Sequence, residues 1–267
     1  MSTYLESLFS LSGKTALVTG GAKGIGRMMS ESLLQAGARV CISSRSVEDC
    51  EKAAQEMSAL GECRAFPHDL SGLQGIAALV ADIEQAGGGL DILVNNSGAT
   101  WGAPLDDFPE SGWDKVMDLN VKSPFFLVQK LLPLLRAAGS GSDPARVVNI
   151  SSIAALISNS QSAYSYMASK AAITHLNRGL AMDLAKDNIS VNAIAPGFFP
   201  SKMTRHMSSE EGREMMCSLT PLGRIGEPDD IGGLIIYLCS RAGAFVTGSV
   251  IPLGGGMDLG GGYQARG

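Results

Sequence analysis

Tyr166 and Lys170 stand four residues apart in a stretch with helical periodicity, which puts both side chains on one helix face. A free tyrosine hydroxyl ionises near pH ~10 and exchanges protons poorly at neutrality. An ammonium one turn away favours the phenolate and brings the pair into the range of general acid–base work. A second set of residues, Thr19-Gly20-Gly21-Ala22-Lys23-Gly24-Ile25-Gly26, follows an apolar strand and opens directly into a helix. In that context such a turn holds a pyrophosphate. Gly20 turns the chain, Gly24 lets the backbone approach the phosphates, and Gly26 lets the helix pack close to the sheet. The free N–H groups and dipole of the helix N-terminus favour the negative charge. Lys23 precedes the last glycines and no Gly-Lys-Ser/Thr follows them, which excludes a P-loop.

The end of the second strand selects the dinucleotide. A carboxylate there would hold a ribose 2′-hydroxyl. This chain has Ser44 followed by Arg45. Nothing repels a 2′-phosphate, a guanidinium can grip one, and Lys23 adds a second cation. These residues imply NADP(H).

Positioning both sets requires an alternating chain, and the sequence alternates. Strands are predicted at 15–19, 39–43, 63–66, 90–94, 146–150, 190–194 and 249–252. Helices are predicted at 24–36, 47–60, 73–85, 112–136, 164–186 and 228–240, with Pro133 bending or ending the fourth. Repeated β-α-β units imply an α/β fold, a Rossmann-type doubly wound parallel sheet with helices on both faces. No linker divides residues 1–267, so a single domain is expected. The segment 198–226 interrupts the alternation and is a candidate substrate lid. The other marked residues fall at the carboxyl edge of the sheet. Asn95-Asn96-Ser97-Gly98 closes the fourth strand, Ser152 the fifth and Pro196-Gly197 the sixth, and Asn120 lies in the long helix between them.

Taken in order, Thr19–Gly26, Asp69-Leu70, Asn95–Gly98, Asn120, Ser152, Tyr166–Lys170 and Pro196-Gly197 resemble the motifs of the short-chain dehydrogenase/reductase family, from about Leu11 to Gly256. The resemblance implies a seven-stranded sheet in a tetramer or dimer. It implies that Tyr166 protonates the carbonyl oxygen during reduction and also contacts the cofactor, and that Lys170 binds the nicotinamide ribose and lowers the tyrosine pKa. Ser152 would hold the substrate oxygen and Asn120 a water of the proton relay. Asp69 would contact the adenine with Leu70 beside it, and Asn95 would support the cofactor region. Gly20, Lys23, Gly24, Ile25, Gly26, Arg45, Asn96, Gly98, Pro196, Gly197 and Ser201 would complete the dinucleotide site, Ser201 at a position that often carries a threonine on the carboxamide. The chain departs at Ser97, where alanine is commoner, and at Gly254, where many members carry aspartate. Ser151 adjoins Ser152 and should point elsewhere if the strand continues.

Within the family, the stretches 95–103, 112–120, 195–207 and 247–252 resemble NADPH-dependent 3-oxoacyl reductases of the rhamnolipid-pathway type, and gluconate-type sugar reductases share part of the second. A 3-oxoacyl thioester or similar hydrophobic ketone is therefore the expected substrate, with a sugar, polyol or xenobiotic ketone as the alternative. The lid carries Phe198, Phe199, Met203, Met207, Met215 and Met216, an adaptable apolar set that also suits ordinary packing. Trp101 walls a pocket or packs. Lys202, Arg205 and His206 meet an anion or form a solvated face. His175 is expected to pack or lie at an interface. Asp183, Lys186 and Asp187 do not make a strong basic patch for an acidic carrier protein. A non-catalytic NADP(H) sensor should have lost part of Ser152, Tyr166 and Lys170, and all three are present.

The bulk composition excludes other classes. The net charge is -5 with no long basic run, a poor match to nucleic acid. Cys41, Cys50, Cys63, Cys217 and Cys239 form no Cys-x-x-Cys pair, so no metal site is expected and reduced thiols are. No apolar run approaches ~20 residues and Met1–Lys14 is not a signal peptide, so a cytoplasmic protein without a membrane segment is expected. The helices 112–136 and 164–186, with Ala168, Ala171 and Ala172, could pack between subunits.

Overall fold

The computed structural model describes residues 3–157, 162–200 and 209–259. Seven parallel strands form one sheet: β1 (Thr15–Thr19), β2 (Arg39–Ser43), β3 (Cys63–Phe66), β4 (Ile92–Asn95), β5 (Ala145–Ile150), β6 (Ile189–Pro196) and β7 (Val250–Leu253), in the order β3-β2-β1-β4-β5-β6-β7. The central strands are apolar on both faces. Every residue of β1, β4, β5 and β6 is buried, as a sheet covered on both sides demands.

Two apolar clusters cover the two faces. One holds Val18, Met29, Leu33, Ile42, Ile231 and Ile235, and draws on the helices α2 (Gly24–Gln35), α3 (Val47–Met57) and α9 (Pro228–Cys239). The other holds Leu17, Leu79, Leu93, Leu131, Val147 and Leu184. It draws on α4 (Leu73–Ala86), α6 (Ser123–Ala138) and α7 (Tyr164–Leu184). The strand order reverses between β1 and β4, and the crevice beyond their carboxyl ends is where an open sheet of this kind binds ligands. Among the described residues no helix is long and apolar enough to cross a membrane.

The structure corrects the single helix expected over 112–136. α5 (Glu110–Met117) passes into a π-turn (Asp118–Lys122) and then into α6. Residue 124 is proline and has no N–H for the Asn120 carbonyl four residues back. The ladder slips instead, and Ser123 N–H reaches five residues back to the Asp118 carbonyl. Pro133 does not end α6, which runs on to Ala138 with Leu131 and Leu135 buried against the sheet. Two helices lie outside the expected set. α1 (Tyr4–Phe9) carries a Thr3/Glu6 capping box, and α8 (Glu210–Ser218) starts at the Ser209 cap, inside the segment read as a lid.

Candidate active site

The glycine turn joins β1 to α2 at the sheet's point of reversal. Gly20 has φ +65 and Gly24 φ +54, the left-handed region that favours glycine. Lys23 is the N-cap of α2 and makes no side-chain cap bond, and the first turn carries no acid. The N–H groups of Gly24, Ile25 and Gly26 therefore face the crevice without a capping side chain, a fit to a phosphate. Asn96 braces the turn through Nδ2, which donates to the Thr19 carbonyl at 2.9 Å and the Gly20 carbonyl at 3.3 Å. Thr19 Oγ1 accepts from the main-chain N–H groups of Asn96 and Ser97. Behind it, Asn95 Nδ2 donates to Asn149 Oδ1 (2.9 Å) and Asn149 Nδ2 to Asn177 Oδ1 (3.1 Å), a buried polar chain from β4 through β5 to α7.

Arg45 follows β2 and is exposed, and its guanidinium has no hydrogen bond or ion pair among the described residues. That is the disposition a 2′-phosphate would need. The Lys23 ammonium lies 2.6 Å from the Asp49 carboxylate in the first turn of α3. Both partners are exposed, so the pair is weak and open to exchange. Asp69 accepts a hydrogen bond from Ser71 N–H, which holds its carboxyl below the usual range, with Arg45 acting in the same direction. The Leu70 side chain is buried in the cluster of Leu17 and Ile76.

The residues expected to do acid–base work converge at the carboxyl ends of β4 and β5. Ser152 Oγ accepts from Ala154 N–H, and the Ser152 side chain stands beside the Tyr166 phenol. Ser151 is buried and turned away, onto Thr174 and the Lys170 carbonyl. Lys170 is 6% exposed, and its Nζ donates to the Ile150 carbonyl at 2.7 Å and lies 5.6 Å from the Tyr166 ring centroid. Burial pushes the Tyr166 phenol up, opposed by the Ser152 hydroxyl beside it, and lowers the Lys170 ammonium to about 8. Asn120, in the π-turn, is 2% exposed and has every side-chain partner filled. Its Oδ1 accepts from Ala99 N–H (2.8 Å), and its Nδ2 donates to the Ala99 carbonyl and to Ser169 Oγ, each at 2.9 Å. Gly98 packs beside it, where an added Cβ would lie 3.2 Å from Asn120 Oδ1.

The Lys170 value has a consequence for stability. The unfolded lysine titrates near 10.5 and the folded one near 8. Between those values the unfolded chain binds more protons, so the penalty of burying the ammonium is relieved as pH rises. The stability of the parent relative to Lys170→Met should rise by on the order of 3 kcal/mol from pH ~8 to pH ~10.5. Denaturant titrations of both proteins at the two pH values check this, and a constant difference would show that the ammonium keeps its hydration.

Gly197 N–H bonds the Leu253 carbonyl, and β6 ends at Pro196. At Gly254, where an aspartate is common in the resembling family, an added Cβ would stand 2.8 Å from the Ile153 side chain and 3.5 Å from Gly197 Cα, so Ile153 would have to shift. Trp101 packs over Gly112, with Lys115 Nζ 5.2 Å from its ring. Phe108 makes edge-to-face contacts with Trp113 and Tyr164, two residues before the reactive tyrosine. Of the lid residues, Phe199 and Met216 are buried and Met215 is exposed. Ser201, Lys202, Met203, Arg205, His206 and Met207 lie outside the described residues. His175 is exposed on α7. Among the described residues no group of His, Cys, Asp and Glu could hold a metal ion.

This arrangement can be set beside known proteins. The rhamnolipids biosynthesis 3-oxoacyl-(acyl-carrier-protein) reductase of Pseudomonas aeruginosa is 49% identical over 96% of this chain and 100% of its own. The gluconate 5-dehydrogenase of Gluconobacter oxydans is 35% identical over 94% and 97%. The Pseudomonas aeruginosa RhlG/NADP active-site complex superposes with a TM-score of 0.93 at 48% identity, covering 95% of this chain and 99% of that one. The family model described as Enoyl-(Acyl carrier protein) reductase matches residues 20–258. A match of that length, on a sheet of this order, settles the family: the chain belongs to the short-chain dehydrogenase/reductases.

Proposed function

We propose that the protein is an NADPH-dependent reductase of a ketone carbonyl, with a 3-oxoacyl thioester or similar hydrophobic ketone as substrate. The observation that carries the reading is the Ser152 hydroxyl placed beside the Tyr166 phenol, with the buried Lys170 ammonium 5.6 Å from the Tyr166 ring centroid. Ser152 and Tyr166 present their hydroxyls side by side, so a carbonyl oxygen entering between them would meet two hydroxyl donors. Tyr166 gives its proton to that oxygen. Lys170 lies close enough to favour the phenolate left behind, although burial in the free protein opposes ionisation. Asn120 keeps the loop after β4 against α7. Reduced NADP, when bound, supplies a hydride to the carbonyl carbon. The uncapped start of α2 would hold its pyrophosphate, Arg45 its 2′-phosphate, Asp69 and the Leu70 main chain its adenine, and Lys170 its nicotinamide ribose. Gly98, Pro196, Gly197 and Ser201 would line the remainder.

The substrate class rests on the 49% identical 3-oxoacyl reductase and on exposed apolar side chains after β4, β5 and β6: Leu105, Trp113, Leu156, Met215 and Leu222. Exposed Phe125 on α6 and Met182 on α7 support a dimer or tetramer built through those helices. The test is NADPH oxidation, followed by loss of nicotinamide absorbance, with a 3-oxoacyl thioester, an aryl ketone and a sugar ketone in parallel and NADH as the control. Turnover of the thioester with NADPH supports the proposal. Turnover of the sugar ketone alone would move the protein to the side of the gluconate enzymes. Arg45→Ala should weaken NADPH binding about 10- to 100-fold, the value of one charge-assisted contact, and leave NADH binding as it was. Equal losses for both dinucleotides would remove Arg45 as the selector.

A further inference from the structure

Hydrogen bonds, joined by the three-residue backbone step from Asn96 to Ala99, link the glycine turn to the backbone of Tyr166. The path begins at the Thr19 and Gly20 carbonyls, which accept from Asn96 Nδ2, and at Thr19 Oγ1, which fixes Asn96 and Ser97. Three residues on, Ala99 is held at both its N–H and its carbonyl by the Asn120 side chain. The second Nδ2 proton of Asn120 goes to Ser169 Oγ at 2.9 Å, and Ser169 Oγ donates its own proton to the Tyr166 carbonyl at 2.7 Å. Ser169 is fully buried. Its hydroxyl is thus the atom by which the path enters α7, three residues from Tyr166 and next to Lys170.

The chemistry of each atom fixes the direction of the chain. Asn120 cannot flip, because its amide would then set N–H against Ala99 N–H and oxygen against the Ala99 carbonyl. Its remaining proton must go to an acceptor, and in a buried site that acceptor has to be supplied by the protein. Ser169 can serve because the Tyr166 carbonyl takes its proton and leaves a lone pair free. A serine bonding back to a carbonyl one turn earlier is common in helices and does little alone. Here the same oxygen also receives a side chain from a different segment.

We infer that Ser169 is a positioning residue, which transmits the placement of the dinucleotide turn to Tyr166 through Asn120. The inference rests on the proposed reductase reading. Without the hydroxyl, Asn120 and Ala99 lose their fixed relation to α7, and the phenol loses its setting relative to the bound dinucleotide.

Three proteins test this: the parent, Ser169→Ala and Ser169→Thr, which keeps a hydroxyl. Ser169→Ala should bind NADPH with the parent's affinity and lower kcat on the order of 10- to 100-fold, the scale of a small misplacement of reacting groups. Ser169→Thr should recover most of the rate. A second readout needs no turnover. Tyrosinate absorbance, with Tyr166→Phe subtracted, follows the ionisation of Tyr166 with and without NADP+. The parent should show a dinucleotide-dependent shift to lower pH, and Ser169→Ala should bind NADP+ yet show a smaller shift. If Ser169→Ala matches the parent in kcat and in that shift, the inference is wrong and the reductase reading stands. If the parent itself neither binds NADP+ nor turns over a ketone, the reading fails and takes the inference with it.

Discussion

Tyr166→Phe should lower turnover about 10³-fold while leaving NADPH affinity at the parent's value. The substitution removes one oxygen and keeps the ring, so packing near Lys170 and the start of α7 is preserved. What is lost is the proton donor and the partner of Ser152. The dinucleotide contacts proposed above are spread over the glycine turn, Arg45, Asp69, the Leu70 main chain, Gly98, Lys170, Pro196, Gly197 and Ser201, so the phenol oxygen adds little to their sum. Binding and chemistry should therefore separate cleanly, which stopped-flow turnover beside fluorescence titration of NADPH would measure. A loss of both would mean that the ring has moved. Unchanged turnover would return the protein to the class of dinucleotide sensors, in which the Ser152–Tyr166 pair is only structural.

Much of this site was legible before any coordinates because its residues sit where strands end. A run such as TALVT or ARVVNI reads as a buried strand from its apolar side chains, and the residue after it falls at the ligand edge of a parallel sheet. Thr19–Gly26, Asn95–Gly98, Ser152 and Pro196-Gly197 were placed by that logic, and the Tyr166–Lys170 pair by helical spacing. What escaped depended on a partner distant in sequence. The ion pair of Lys23 with Asp49 across the turn and the burial of the Leu70 side chain in the core behind it are of this kind. Ser169 lies in plain view between Tyr166 and Lys170, but only the Asn120 amide gives it a task.

Other features escaped although their signals are local. The four-residue step from Asn120 to Pro124 marks a carbonyl without a donor, at the place where the π-turn separates α5 from α6. The Thr3-x-x-Glu6 box and the acidic turn after Ser209 mark the starts of α1 and α8. Hydrophobic periodicity missed both, because α1 buries no residue and α8 buries only Met216.

Gly26→Ala should cost both the fold and the cofactor. A Cβ at residue 26 would overlap the Gly20 carbonyl oxygen and Asn96 Nδ2, and would stand 2.9 Å from the Gly20 carbonyl carbon. Two of those atoms are backbone and cannot rotate away. Gly20 is held by its own N–H bond to the Ser43 carbonyl at 2.7 Å, and Asn96 by its bonds to Thr19 and Gly20. Relief requires α2 to move off the sheet or the glycine turn to open, and either shift removes the N–H groups of Gly24, Ile25 and Gly26 from a pyrophosphate. Overpacking of this kind destabilises by about 1–3 kcal/mol. Loss of even ~1.4 kcal/mol of the dinucleotide contacts lowers affinity tenfold. Gly233→Ala is the matched control. It lies exposed in α9 with nothing within 4 Å of an added Cβ, and should stabilise by about 0.5–1 kcal/mol through helix propensity alone. Denaturant midpoints and NADPH titrations of the two variants should move in opposite senses for stability, with affinity lost only in Gly26→Ala. If Gly26→Ala instead behaves like Gly233→Ala, the close approach of α2 to the sheet is not what shapes the phosphate site.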